Sequence, residues 1–87
     1  MKMVTEKVKR FQGMILAEYN RGVEAHPDFI PETSLCNMAK IELEKSALEA
    51  IGGDMEQACR GMIRAGALVL RFLADADPHL DGFPQKK

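Results

Sequence analysis

Eighty-seven residues suffice for one domain around a single small core. Hydrophobic residues make up 46% of the chain and charged residues 29%, which excludes a disordered or low-complexity protein, and a formal net charge of -1 gives no global attraction to nucleic acid or an anionic membrane. A domain this small buries only a little over about 60% of its unfolded surface, so association with another chain would add usefully to its stability.

Val4, Val8, Phe11, Ile15, Tyr19 and Val23 recur every three or four positions, the helical period, and predict a first helix over about residues 3–25. It should end before His26-Pro27, because proline disfavours helical conformation in the residue ahead of it and cannot donate to the ladder. Gly13 and Gly22 inside it suggest close contacts with a neighbour. Residues 26–31 read as a turn in which Phe29 and Ile30 fold over one end of the core. Residues 1–10 set Lys2, Lys7, Lys9 and Arg10 against Glu6, whereas residues 24–57 hold eight acids against Lys40 and Lys45, so the first helix is basic beside an acidic neighbour. With no sustained apolar run after the basic start, no signal peptide is expected, and the cytoplasm is the expected compartment.

Either Pro31 or Ser34 opens a second helix over about residues 32–51. Its inward set is expected to be Leu35, Met38 or Ala39, Leu43, Ala47, Leu48 and Ile51, with Glu42, Lys45 and Glu49 facing outward. Gly52 stops it.

Asp54 with Gln57 three residues on forms a D-x-x-Q cap for a third helix over about residues 54–76. At about 100° per residue, Met55, Cys59, Met62, Gly66, Val69 and Leu73 form one apolar stripe and Ile63, Ala67, Leu70 and Ala74 a second beside it. Two stripes call for two partners, so this helix should lie at the centre. Its charges exclude a membrane span: only the six residues Ala65 to Leu70 run without a charge, against roughly 20 needed to cross a bilayer. Gly61, Ala65 and Gly66 each sacrifice side-chain packing, and glycine costs up to about 1 kcal/mol of helix propensity, which implies close approach of another helix within the chain or across a two-fold axis. Gly61, Ala65, Gly66, Leu70 and Leu73, with Phe83 from the tail, are therefore the candidate self-association residues. A homo-oligomer is expected, with a dimer favoured.

Arg60, Arg64 and Arg71 share one arc of the third helix and are the candidate surface for an acidic partner or an anion, since guanidinium groups contact such oxygens in pairs. Glu56 four residues before Arg60 and Asp75 four after Arg71 give the plainer reading, a solvated face of ordinary ion pairs. Gly52-Gly53 sets a helical hairpin in which Leu35 meets Leu70, Ala39 meets Gly66, Leu43 meets Met62 and Ala47 meets Ala58. In that register Cys36 and Cys59 are too far apart for a disulfide and are expected as buried thiols. Residues 77–87 turn irregular at Pro78, and Leu80 and Phe83 would fold back on the bundle or insert into a second subunit.

Asp75, Asp77, His79 and Asp81 alternate but lack the glycine and terminal glutamate of an EF-hand, so no metal site is expected. No nucleophile and base pair and no phosphate loop stand out either, and no catalytic residue is assigned. Residues 41–73, with Glu-Lys-Ser-Ala-Leu-Glu-Ala-Ile-Gly-Gly-Asp54 followed by Ile63-Arg-Ala-Gly-Ala-Leu-Val-Leu-Arg-Phe-Leu73, resemble the helix-turn-helix core of MazG-like all-α nucleotide pyrophosphatases of bacteria and phages. That family holds magnesium against a nucleoside triphosphate with an E-x-x-E pair on one helix and an E-x-x-D pair on the next, and generally works as a dimer or tetramer. Here Arg60-Gly-Met-Ile-Arg64 stands where the second pair would fall, and Glu42, Glu44 and Glu49 do not have the first spacing. The resemblance thus implies a binding or regulatory relative, encoded by a phage or mobile element.

These readings converge on an all-α fold, a three-helix bundle made of a helical hairpin plus an N-terminal helix, in one domain over residues 1–87. The expected function is a small cytoplasmic interaction module that binds an unidentified protein through a helical face and needs no cofactor. The alternative is a MazG-like nucleotide-binding or pyrophosphohydrolase protein using Mg2+ and carboxylates from Glu18, Glu42, Glu49 and Glu56. A third is a nucleic-acid-binding protein using Arg60, Arg64 and Arg71, against which the net charge counts.

Overall fold

A computed structural model describes residues 2–76 of the chain. Three helices, α1 (Lys2–Ala25), α2 (Glu32–Ile51) and α3 (Met55–Ala76), follow one another with no strand among the described residues. The fold is the expected all-α arrangement, and the tail with Leu80 and Phe83 lies outside the described residues. None of the helices is long and apolar enough to cross a membrane.

Local chemistry explains the boundaries. α1 stops at the His26-Pro27 step, its last turn closed by the His26 N–H donating to Gly22 O at 2.8 Å. Pro31 occupies the N-cap position of α2 with extended backbone (ψ 143°) and no side-chain cap, so the proline rather than Ser34 opens that helix. Its C-terminus is a Schellman closure: Gly53, at φ +93°, turns the chain while Asp54 N–H donates to Glu49 O at 2.8 Å and Gly53 N–H to Ala50 O at 3.0 Å. Asp54 Oδ1 then accepts the Gln57 N–H at 3.2 Å, the predicted cap of α3.

α3 is the centre. Ala58, Gly61 and Ala65, all buried, turn towards α2, while Gly66 meets Ile15 of α1 on the other side. Among the described residues α1 and α2 do not pack on one another. The three helices therefore form a single layer in the order α1, α3, α2. α2 runs antiparallel to α3, with Ser46 against Gly61 and Glu42 bonded to Arg64, while α1 runs parallel to it, with Ile15 at Gly66 and Gly22 at Arg71.

Several expectations fail on the orientation of α2. The seam it presents to α3 is Leu35, Ala39, Glu42, Ser46, Glu49 and Ala50, buried or half-buried, whereas Leu43 is half exposed and Leu48 and Ile51 are 70% and 83% exposed. The register is shifted by one to two residues from the predicted one, with Ser46 at Gly61 and Glu42 at Arg64, so Ser46 rather than Ala47 occupies the centre and Leu43 and Met62 flank the seam. The physical reason lies in both helices. Apolar residues surround α2 on all sides, so no single stripe dictates its facing, and the small residues of α3 admit whichever face brings the backbones closest.

Three other expectations are corrected. Cys36 and Cys59 are exposed, because both lie outside the small-residue seam. Phe29 is 74% exposed and only Ile30 is half-buried in the connecting turn. A Cβ at Gly13 or Gly22 would meet nothing within 4 Å, so neither glycine marks a close contact.

Candidate interaction surface

A layer of helices has two faces, and here they differ in chemistry. One carries the first apolar stripe of α3. With α2 and α1 taking the two sides of α3, Met55, Met62, Val69 and Leu73 remain 57%, 51%, 45% and 43% exposed, with the thiol of Cys59 among them. α2 adds Leu43 and Cys36. Between the two helices lies an apolar groove of about 270 Å³, lined by Leu35, Ala39, Leu43, Leu68, Val69 and Leu73. Such a run of large apolar side chains, rather than scattered single ones, is the surface signature of a contact site.

The opposite face is charged and internally balanced. Arg60 Nη2 donates to Glu56 Oε2 at 2.9 Å, the expected pair within one helix. Arg64 Nε donates to Glu42 Oε1 at 3.1 Å, joining α3 to α2, so Glu42 faces inward and not outward as its spacing suggested. Arg71 does not use Asp75 among its hydrogen bonds. Its guanidinium reaches across to the end of α1 and donates to the carbonyl oxygens of His26 at 2.6 Å, Asp28 at 3.0 Å and Gly22 at 3.4 Å. A cleft of about 520 Å³ opens between α1 and α3, lined by Met14, Glu18, Arg21, Arg60, Ile63 and Arg64, and Arg21 is there paired with Glu18. Each arginine of this face thus already has an acceptor within the chain. An incoming anion would have to displace a carboxylate or a carbonyl, which removes much of the gain from binding it.

The predicted self-association residues divide. Gly61 and Ala65 are buried within the chain against α2, and a Cβ at Gly66 would lie 3.1 Å from Ile15 Cδ1, so these small residues serve packing inside one protomer. Leu70 and Leu73 remain partly exposed, and Phe83 lies outside the described residues.

For catalysis or metal binding, no group of three or more His, Cys, Asp or Glu side chains converges among the described residues. Of the carboxylates that the nucleotide-hydrolysing alternative needs, Glu18 and Glu42 line one cleft with Arg64 and Arg71, but each is paired with an arginine, Glu18 with Arg21 and Glu42 with Arg64, and Glu56 lies outside that cleft, paired with Arg60. Glu49 Oε1 is buried with no hydrogen-bond partner, as is Ser46 Oγ. Nothing in the sequence marks these two as inward residues. Only the placement of Ser46 opposite Gly61 does so.

The chemistry of the surface therefore defines a class, a one-layer helical protein with one apolar and one neutralised charged face. In comparisons with known proteins, no family model, no curated protein and no solved structure matches the chain.

Proposed function

We propose that the chain is a small helical protein–protein interaction module that works in the cytoplasm and engages its partners through the apolar face of α3 and α2. One observation carries the reading: after the three helices have packed, Leu43, Val69 and Leu73 line an open apolar groove, and Met55 and Met62 of the same α3 stripe stay about half exposed. Domains are normally built from at least two packed layers around a core, and the described residues supply one. The module self-associates, with a dimer as the favoured state. The resemblance to MazG-like proteins supports a phage or mobile-element setting and an oligomeric habit without the family's hydrolysis.

The two thiols on the apolar face give the test. In cells that make the protein at its native level, alkylation of Cys36 and Cys59 should run several-fold slower than in purified protein at high dilution. Equal rates in both settings would sink the reading. Magnesium-dependent loss of a nucleoside triphosphate, abolished by Glu49→Gln, would favour the enzyme instead, and salt-sensitive retention on DNA, lost in Arg64→Ala, would favour nucleic acid.

A further inference from the structure

We infer that the wedge between the first half of α1 and α3 is a second docking site, and that its occupant is an acidic amphipathic helix of another protein. The wedge lies apart from the apolar groove of α3 and α2 and takes a partner of different chemistry.

Val8, Phe11, Ile15 and Gly22 are separated by three, four and seven residues and so share one line of α1. Along the second half of the helix this line is the contact with α3, where Ile15 lies against Gly66 and Arg71 donates to the Gly22 carbonyl. Along the first half, residues 5–14 are all exposed, Val8 at 48%, Phe11 at 41% and Met14 at 44%. α1 therefore leans away from α3 towards its N-terminus, and the cleft of about 520 Å³ lined by Met14, Ile63, Arg60 and Arg64 is where the two helices part. An apolar line covered at one end and stranded at the other is a helix seam short of a partner.

Shape and charge specify that partner. The stranded line faces the gap between two helices, so a flat lipid surface would meet α3 before it reached Phe11, whereas another helix, about 10 Å across, can lie in the gap. On the helical wheel Lys7 falls between Phe11 and Met14, and Arg10 falls beside Met14, with its guanidinium 4.8 Å from the Phe11 ring centroid. Glu6 is the single acid of residues 5–14 against Lys7, Lys9 and Arg10, and among the described residues none of these three cations has an ion pair. The arginines of the cleft, Arg21, Arg60 and Arg64, already hold carboxylates of their own chain. Uncompensated positive charge thus borders the apolar line, and a helix that sets large apolar side chains on that line with glutamate or aspartate along its edge complements both. A second copy of α1 in the gap would bring like charges together instead.

The experiment uses two synthetic peptides of about 20 residues, long enough to hold a helix, that carry the same leucine stripe and differ in their flanking positions, glutamate in one and lysine in the other. Fluorescence anisotropy with the purified full chain should show the glutamate peptide bound at least about tenfold more tightly than the lysine peptide. Phe11→Asp should abolish that binding, and Lys7→Glu combined with Arg10→Glu should reverse the preference. Helical circular dichroism should be unchanged in both variants, because these side chains are exposed in the protomer. Leu73→Asp, in the apolar groove, should leave peptide binding intact. Peptides that bind equally or not at all overturn the inference, as does binding that survives Phe11→Asp or is lost in Leu73→Asp. Sedimentation of the chain with phosphatidylserine vesicles, abolished by Phe11→Asp, would overturn it in favour of a membrane. Thiol protection in cells reads the apolar groove separately, so failure of either test leaves the other standing.

Discussion

Gly61 of α3 lies so close to Ser46 of α2 that a Cβ on the glycine would overlap the serine Oγ. Both residues are buried, and the hydroxyl has no hydrogen-bond partner, so the closest approach of the hairpin is made over an unsatisfied polar atom. Gly61→Ala should lower stability by about 1–3 kcal/mol through overpacking, more than offsetting its gain in helix propensity. Ser46→Ala should raise stability by about 1 kcal/mol, because it removes a buried group that lost its water and gained nothing. Combining the two should recover most of the loss, as the overlap is with the oxygen. Urea titrations of the three variants would read this non-additivity, and simple additivity would contradict the packing described.

Gly13 and Gly53 should respond to alanine with opposite signs. Gly13 is exposed inside α1, and a methyl group placed there would meet nothing within 4 Å, so Gly13→Ala should stabilise by about 0.5–1 kcal/mol through helix propensity alone. Gly53 holds the left-handed turn between α2 and α3 at φ +93°, where a side chain strains the backbone, and Gly53→Ala should cost about 1–2 kcal/mol. Thermal melts of the two variants at equal protein concentration provide the comparison.

Arg71 ties the end of α1 to α3 through three carbonyl oxygens. Arg71→Ala should cost about 1–2 kcal/mol and expose residues 26–31 to protease. Arg71→Lys should recover little of this, because one ammonium on a flexible stem cannot reproduce the planar fork whose Nη2 donates to His26 O and Asp28 O while Nη1 reaches Gly22 O. Limited proteolysis mapped by mass would show the new cleavage, and an unchanged pattern in both variants would mean that the tether does not order the turn.

The pairs Glu42–Arg64 and Glu56–Arg60 have similar hydrogen-bond lengths, 3.1 Å and 2.9 Å, but differ in setting. The first joins two helices and its side chains are 23% and 37% exposed, against 74% and 60% for the second. A double-mutant cycle with glutamine at each position should give a coupling of about 1 kcal/mol for Glu42–Arg64 and about 0.3–0.5 kcal/mol for Glu56–Arg60. High salt should reduce the second coupling more than the first, since exposed charges are screened more effectively.

Helix number, most helix ends and the central position of α3 were legible in the sequence, while the start of α2 was left open between Pro31 and Ser34. The signals for the ends are local, Pro27 and Pro31 around the first turn and Gly52-Gly53-Asp54 between the hairpin helices; the two apolar stripes on α3 suggested two neighbours, but α2 packs on the small residues Ala58, Gly61 and Ala65 instead and leaves the first stripe exposed. The paired glutamate and arginine of one helix, Glu56 and Arg60, were equally readable, because four residues of helix bring them together whatever else the chain does.

The facing of α2 was decided only by the tertiary structure. With apolar residues all round that helix, several orientations bury similar apolar surface, and the choice falls to backbone approach over Ala58, Gly61 and Ala65. That choice turned Glu42, Ser46 and Glu49 inward, left Cys36 and Leu43 on the surface, and gave Arg64 its carboxylate. It also separated an apolar face from a charged one, because a single layer buries only the edges along which its helices meet. A sequence states which side chains avoid water. Which of them are left uncovered depends on the order in which the helices lie side by side, and that order is a property of the packed whole.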